Sequence, residues 1–302
     1  MSVERSNKGL PSSDDIKDFL GELRESLLAS HAHLLPLFDT FAQEARFARS
    51  WLATNLDLLP VGSEILEVGA GLMLLSCQLQ REGFSVTALE PIDIGFSVFS
   101  ELQGIVLQFA KQHGYAPKVI PIGAEQLEIE GVFDFAFSVN VMEHVRSVPR
   151  TLEQVGRALA VGGEYRFTCP NYWFPYEPHF NIPIIFSKGV TQRLFHDAIF
   201  QSTRVTDPKG TWESLNWINV NQIRRIVTRL DGLKLAFDSE LMVRMLERVA
   251  EDPDFAKRRS AWACALIGAF VKLRIHRLAR FVPATLQPII DCHIRRIHIG
   301  GG

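Results

Sequence analysis

Ile65-Leu66-Glu67-Val68-Gly69-Ala70-Gly71 decides the fold, together with Val86-Thr87-Ala88-Leu89-Glu90-Pro91 further along the chain. Both runs are apolar and predict buried strands, and the glycine turn after the first predicts entry into a helix. Glycine lets the backbone approach a ligand closely, and Glu90 can accept hydrogen bonds from both hydroxyls of a ribose. The pattern therefore predicts a doubly wound α/β sheet that binds a nucleoside at the carboxyl ends of its strands.

The chemistry of the turn discriminates between nucleoside ligands. A dinucleotide-binding turn has a third glycine, in the pattern G-x-G-x-x-G, where this chain has Leu74. Glu67 precedes the turn, and its carboxylate would repel a pyrophosphate but attract an ammonium group. S-adenosylmethionine (SAM) carries an ammonium group and no phosphate. The turn therefore favours SAM over NAD.

Two later segments extend the pattern: residues 133–145 (FDFAFSVNVMEHV) and residues 159–165 (LAVGGEY). With Glu67–Gly71 and Glu90 they resemble four motifs of the class I SAM-dependent methyltransferases, in the same order and spacing. The resemblance covers roughly residues 50–240 and is closest to the ubiquinone-type O-methyltransferase branch. It implies a mostly parallel, Rossmann-like methyltransferase sheet with N- and C-terminal helical additions, and S-adenosyl-L-methionine as cofactor.

Six residues are candidate cofactor contacts: Glu67, Gly69, Gly71, Glu90, Glu125 and Asn140. The first three are expected at the methionine end and Glu90 at the ribose, although the two glycines would also suit a plain tight turn. The resemblance implies that Glu125 contacts adenine and that Asn140 faces the cofactor. For Glu125, a solvated loop acid is the alternative.

Glu143-His144 follows Asn140 in a position where some ubiquinone-type relatives bind a divalent ion through Glu-x-x-Glu-His. This chain has the neutral Asn140 in the first position, and an amide is a weaker ligand for a hard cation. We therefore predict no metal, and we expect Glu143 and His144 to form hydrogen bonds with neighbouring loops.

The segment 171–180 (NYWFPYEPHF) follows the predicted fifth strand, where acceptors enter in this fold. His179 is the candidate catalytic base, because an imidazole with a pKa of about 6.5 suits proton transfer near neutral pH. Glu177 and Tyr176 are candidates for positioning His179 or the acceptor. The alternative is a structural histidine in an aromatic loop.

Hydrophobic periodicity predicts the elements around these motifs. We expect disorder over 1–11, helices over 12–58 with Ser12 capping the first, a SAM-binding domain over 59–240, and a basic, largely helical extension over 241–302. The predicted strands are 63–68, 84–90, 117–121, 132–139, 163–169 and 233–237, with 293–299 the weak candidate for a seventh. The predicted helices of the SAM-binding domain are 72–82, 96–113, 149–160 and 220–230.

The composition of the chain limits the classes of protein to which it can belong. The chain has 302 residues, of which 47% are hydrophobic and 22% charged, with no apolar leader and four scattered cysteines. These features favour a globular, cytoplasmic protein with reduced thiols. Residues 257–302 carry nine basic residues and one acidic residue, so the rest of the chain is acidic. An acidic motif-bearing domain argues against a nucleic-acid partner.

The basic tail suggests a membrane partner. Ile267, Val271, Ile275 and Leu278 fall on one stripe of a helix, and Lys272, His276 and Arg280 fall on a neighbouring stripe. Such a helix would suit the membrane interface, so residues 257–302 are candidates for peripheral membrane contact. A helix packed on the core with its basic face in water is the alternative.

The sequence therefore predicts a SAM-dependent methyltransferase acting on oxygen of a small molecule or of a glycan- or lipid-linked intermediate. Two alternatives remain open. One is a non-catalytic methyltransferase-like binding module, since Met73 and Asn140 depart from the family pattern. The other is a peripheral membrane-binding protein that acts through its basic tail.

Overall fold

The computed structural model describes residues 15–91, 97–252, 256 and 261–298. The predicted disorder over 1–11 and the Ser12 cap lie outside these residues. The chain divides into two compact units. The first unit comprises Met1–Phe137 and Ala158–Ala160, and the second comprises Ser138–Arg157 and Val161–Gly302.

The first unit begins with the two predicted helices, α1 (Asp15–Ser30) and α2 (Leu35–Leu56), joined by a 3-10 turn. Phe19 and Leu23 of α1 are fully buried, as the helical spacing of the apolar residues predicts. In α2, Arg49 forms a buried ion pair with Glu82, and its Nε lies 2.8 Å from Glu82 Oε1. The N-terminal helices are therefore part of the first unit's core.

The sheet strands of the first unit are parallel and follow the order β3-β2-β1-β4. The strands are β1 (Glu64–Val68), β2 (Ser85–Leu89), β3 (Lys118–Ile120) and β4 (Phe133–Val139), with α3 (Leu74–Arg81) and α4 (Val98–Gln112) between them. Nearly all residues of β1 and β2 are buried, which explains their continuous apolar sequence. The predicted elements are confirmed here to within a few residues.

In the second unit, three strands pair antiparallel in the order β5-β9-β8. These strands are β5 (Leu159–Pro170), β9 (Ile289–Arg296) and β8 (Leu233–Phe237), and α5 (Val148–Ala158) precedes β5. The seventh strand exists, but it begins at Ile289 rather than at 293. It lies within the extension 241–302, where the other described elements are helices, as the sequence predicts.

The segment after β5 is more regular than predicted. A two-stranded hairpin forms within it from β6 (Tyr176–Glu177) and β7 (Ile182–Pro183). The following helices are α6 (Lys188–Leu194), α7 (His196–Phe200), α8 (Pro208–Ser214) and α9 (Val220–Val227). Trp212 of α8 is buried, and it gives this region an aromatic core of its own.

The tail is not one continuous helix. After α10 (Glu240–Glu251) and α11 (Ala261–Lys272), Arg274 takes a left-handed conformation with φ 59°, and a 3-10 helix then runs over Ile275–Phe281. The prediction that Ile267 to Arg280 share one α-helix is therefore wrong. His276 is also buried rather than part of an exposed basic stripe. Among the described residues, no helix has both the length and the apolarity needed to span a membrane.

Candidate functional site

The glycine turn after β1 is fixed to the end of β2 by backbone contacts. Gly69 N donates to Leu89 O over 2.8 Å, and Gly71 N donates to the Glu90 carboxylate over 2.8 Å. The Gln103 side chain on α4 donates to Gly71 O over 2.7 Å. Gly69 and Gly71 have φ of 71° and 53°, which glycine adopts without a steric penalty. The turn and the strand-end carboxylate are therefore one preorganised element.

Met73 closes the same turn with φ 60° and is completely buried. This conformation is the one that glycine adopts most readily, and a residue with a side chain adopts it at a cost of about 1 kcal/mol.

Glu67, at the base of the turn, is a buried acid. Its exposed fraction is 8%, and the Ser76 hydroxyl of α3 donates to its carboxylate. Burial raises the Glu67 pKa to about 8, the nearby Glu90 carboxylate adds to the rise, and the Ser76 hydrogen bond opposes it. Burial also raises the pKa of Glu90, against the Gly71 N–H that stabilises its anion. The turn therefore carries two carboxyl groups whose ionisation would be favoured by a cationic ligand.

The first unit also brings aromatic side chains to the turn that the sequence did not indicate. The ring of Phe41, on α2, lies 3.9 Å from the position that a Cβ on Gly71 would occupy. Phe41 packs edge-on against Phe99 of α4, with ring centroids 5.6 Å apart. An apolar wall beside Gly71 would have been expected only from knowing how α2 packs.

The other two predicted cofactor residues lie on different units. Glu125 is in a short 3-10 turn after β3, in the first unit, and is partly exposed. Asn140 is in the second unit, just past β4, where it is exposed with φ 54° and donates its backbone N–H to Thr168 O over 2.9 Å. The structure thus groups Glu67, Gly69, Gly71 and Glu90. The roles of Glu125 and Asn140 stay predictions.

In the second unit, the predicted catalytic loop is built around the fully buried carboxylate of Glu177. Glu177 Oε1 lies 2.6 Å from His179 Nδ1, and the carboxylate also accepts hydrogen bonds from the His179 and Phe180 backbone N–H groups. The Tyr172 hydroxyl donates to it over 3.3 Å. Glu177 therefore orients His179 by one side-chain contact and fixes the loop by the others. Tyr176, the third predicted catalytic residue, donates its hydroxyl to Asn181 over 2.7 Å.

The pKa values of His179 and His144 are shifted in opposite directions. For His179, burial lowers the pKa, but the Glu177 hydrogen bond and the charges of Glu177 and Glu143 outweigh it, so the pKa is raised above its usual value. For His144, burial and the neighbouring His179 lower the pKa to about 4. The two rings meet edge-on with centroids 5.4 Å apart, and His144 Nδ1 lies 2.8 Å from Ser214 Oγ. The lowered pKa favours neutral His144 near pH 7, and the raised pKa of His179 favours its protonated form.

Glu143, His144 and His179 together have the composition of a metal site. Each offers one ligand atom, and these atoms lie within 4.8 Å of one another. Glu143 and His144 were expected to bond to neighbouring loops, and the Ser214 contact of His144 fits that expectation. The sequence did not predict that His179 would lie beside them, because the loop that carries it is distant along the chain.

Aromatic side chains extend from Glu177 within the second unit, beginning with Tyr172, which donates to its carboxylate. Tyr172 stacks on Trp217 with centroids 5.6 Å apart, and Trp217 packs edge-on against Trp212 at 6.2 Å. Trp217 has φ 58°, rare for a bulky residue, and its buried indole N–H has no hydrogen-bond partner among the described residues. Strained backbone and an unpaired buried donor are characteristic of functional sites.

Comparison with known proteins agrees with the motifs and the sheet. A family model described as a methyltransferase domain matches residues 39–229. The chain belongs to this methyltransferase family. As the four motifs predict, it is a SAM-dependent enzyme of class I.

The methyltransferase has relatives in sequence and in structure. An uncharacterized protein of Mycobacterium tuberculosis is 48% identical over 278 residues, which cover 92% of this chain and 94% of that protein. A ubiquinone biosynthesis O-methyltransferase of Rickettsia conorii is 27% identical over 126 residues, covering 42% of this chain and 37% of that protein. A SAM-dependent methyltransferase of Mesorhizobium loti is 14% identical over 81% of this chain and 97% of that one, with a TM-score of 0.49.

Proposed function

We propose that this methyltransferase methylates an oxygen atom of a small molecule or of a glycan- or lipid-linked intermediate, with His179 as the base. The observation that carries the proposal is the 2.6 Å contact between His179 Nδ1 and the buried Glu177 carboxylate. This contact holds one ring nitrogen as a donor and leaves Nε2 to accept a proton. The same carboxylate–imidazole arrangement orients the general base in hydrolases.

The proposal also assigns SAM binding to the glycine turn. Glu67, Gly69 and Gly71 would hold the methionine end of SAM, with the buried Glu67 paired to its ammonium group, and the Glu90 carboxylate would hold the ribose. When bound, SAM supplies a methyl group on a sulfonium, already activated for transfer. The chemistry of the turn suits SAM. Burial raises the pKa values of Glu67 and Glu90, and a cationic ligand would favour the ionised form of both carboxyl groups.

The remaining task of the protein is to align the acceptor and take its proton. His179 Nε2 would take the proton of the acceptor oxygen as that oxygen is methylated, and SAM would supply the methyl group and leave as S-adenosylhomocysteine. Glu177 stabilises the imidazolium that results, and the proton then passes to solvent. The aromatic side chains around Tyr172 and Trp217 would provide the apolar wall that excludes water from this step.

A direct experiment separates catalysis from simple binding. Methyl transfer from SAM would be measured against alcohol, phenol and glycan acceptors, each in water-soluble and lipid-linked form, for wild type and His179→Gln. We expect the variant to lose at least about a hundredfold in kcat while binding S-adenosylhomocysteine as wild type does. His196→Gln is the matched control, since His196 is exposed and lies outside the cluster.

Two results would contradict the proposal. Unchanged turnover in His179→Gln would remove the base role. Intact S-adenosylhomocysteine binding without transfer to any acceptor class would favour the non-catalytic binding module instead.

A further inference from the structure

The 3-10 helix Ile275–Phe281 of the tail has three faces with three different chemistries. A 3-10 helix has three residues per turn, so residues three apart lie in a row along it. One row is Ile275, Leu278 and Phe281, with exposed fractions of 42%, 61% and 75%. The adjacent row is Arg277 and Arg280, with Arg274 immediately before the helix, and all three are exposed. We call these two rows the tail surface.

The third row attaches this helix to the protein. His276 is buried, and its Nε2 lies 3.0 Å from Glu247 of α10 while its Nδ1 lies 3.3 Å from Phe270 O. Ala279, one turn later, is half-buried. The helix is therefore held in a fixed rotation, with its apolar and basic rows both directed to solvent.

The residues on either side of the 3-10 helix are also apolar and exposed or basic. Further large apolar side chains are exposed before and after the helix: Leu266, Phe270, Leu273, Val282 and Leu286. Residues 261–288 contain four basic residues and no acidic residue. Large apolar side chains exposed in a group mark an interaction site, and here the group borders fixed positive charge.

We propose that the tail surface docks on an anionic lipid bilayer, with Ile275, Leu278 and Phe281 inserted at the interface and the arginine row on the lipid phosphates. The pairing of an apolar row with an adjacent basic row is what selects this partner. Apolar side chains give binding energy in the acyl boundary, and each arginine near the surface adds an electrostatic contribution. The inference does not depend on which acceptor is methylated.

Within the second unit, the segment that follows the tail surface contacts the proposed acceptor loop. Asn171, the first residue of the proposed acceptor loop, donates its side-chain N–H to the carbonyls of Ala284, Thr285 and Gln287, the last over 2.8 Å. Trp173, two residues on, is 61% exposed. The acceptor loop is thus hydrogen-bonded to the segment that follows the tail surface, which suits an acceptor drawn from the membrane.

Sedimentation with vesicles tests the docking on the full chain. Phosphatidylcholine vesicles with and without phosphatidylglycerol would be compared for wild type, Leu278→Ser/Phe281→Ser and Arg277→Gln/Arg280→Gln. We expect wild type to bind the anionic vesicles, more weakly as salt rises. We expect the apolar variant to bind about a hundredfold more weakly and the basic variant about tenfold or more.

Matched controls separate the tail surface from general surface properties. Leu58→Ser/Phe186→Ser removes exposed apolar side chains elsewhere, and Arg193→Gln/Arg225→Gln removes exposed charges elsewhere. Both are expected to bind as wild type does. S-adenosylhomocysteine binding by every variant verifies that the fold is intact and separates a failed docking from a failed methyltransferase.

Three outcomes would overturn the proposal. The first is no binding of wild type to anionic vesicles. The second is equal binding by wild type and both tail variants. The third is a dimer in light scattering that Leu278→Ser/Phe281→Ser dissociates without any change in vesicle binding, since that would assign the surface to a second copy of the chain.

Discussion

His179 Nδ1 lies 2.6 Å from a Glu177 carboxylate that is itself fully buried and held by the backbone N–H groups of His179 and Phe180. The imidazole is thus held by a group that cannot turn away from it. The contact also sets the proton affinity of the ring, because a negative charge at this distance favours imidazolium and raises the His179 pKa.

Removing that charge should shift the proton affinity in a defined direction. In Glu177→Gln, the His179 pKa is expected to fall, so the neutral, base-competent ring persists to lower pH and the acid limb of the kcat profile moves to lower pH. Titration of the His179 ring by NMR measures the same shift without an acceptor.

A test for a metal accompanies the Glu177→Gln titration. Chelating agents should leave the His179 titration and the activity of wild type unchanged, because we assign His179 to proton transfer. A loss of activity that Mn²⁺ or Zn²⁺ restores would instead assign Glu143, His144 and His179 to a metal.

Glu67 should couple cofactor binding to pH. Its pKa of about 8 keeps it protonated in the free protein at pH 7, and an ammonium ligand favours its ionised form. Binding of S-adenosylhomocysteine should therefore release close to one proton and tighten by up to about tenfold per pH unit between pH 6 and 8. Calorimetry in two buffers of different ionisation enthalpy measures the released proton.

Glu67→Gln is the matched variant, since the amide keeps a hydrogen-bond acceptor for Ser76 but cannot ionise. Its binding should be weaker and nearly independent of pH over this range. The same variant reports on stability. Because the folded-state pKa is raised, the free wild-type protein loses stability as the pH rises from about 4.5 to 8, and Glu67→Gln should lose less. Equal pH dependence in the two proteins would contradict the assignment.

Gly71→Ala separates the backbone requirement of the turn from ligand contact. With φ 53°, alanine at this position should cost about 1 kcal/mol of stability. The added Cβ meets no atom closer than Phe41, at 3.9 Å, so the loss of S-adenosylhomocysteine affinity should exceed the loss of stability. Gly114→Ala has a similar φ of 79° and open space around it, and should cost stability without affecting binding. Equal effects of the two variants on binding would contradict the proposed site.

Trp217→Phe should reveal whether the unpaired indole N–H serves the acceptor. Removing a buried donor without a partner is expected to stabilise the protein by about 1 kcal/mol, while an acceptor that bonds to it would lose kcat/KM. Trp212→Phe is the contrast, because its indole donates to Gln192 Oε1 over 2.9 Å and its loss should destabilise. If Trp217→Phe is more stable and its kcat/KM is unchanged, the unpaired N–H only lowers stability and does not bind the acceptor.

The sequence predicts the first unit well, because the signals there are local. Continuous apolar runs identify β1 and β2, and glycines at the turn require the left-handed conformations that the structure shows. The tail is less predictable. Ile267 to Arg280 has helical periodicity, but the chain breaks at Arg274, and His276 then contacts Glu247, which is distant along the chain. The same holds for His144 and His179, which only the fold brings together.

The buried ion pair between Arg166 of β5 and Asp291 of β9 allows a test of what holds β9 against β5. Arg166 Nε and Nη2 donate to the two oxygens of Asp291 over 3.0 and 2.7 Å, with the Asp291 side chain fully buried. Asp291→Asn would leave a buried guanidinium without its full counter-charge, so we expect a loss of about 3 kcal/mol in the free energy of unfolding. Denaturant unfolding measures it.

The surface pair Arg150–Glu153 provides the control, because its N–O distance of 3.0 Å is similar but its side chains are 48% and 39% exposed. Glu153→Gln should change the free energy of unfolding by less than about 0.5 kcal/mol. Equal effects of the two variants would mean that burial does not strengthen the Asp291 pair. β9 would then be retained in the sheet by its backbone hydrogen bonds and its apolar residues Ile290, Cys292 and Ile294.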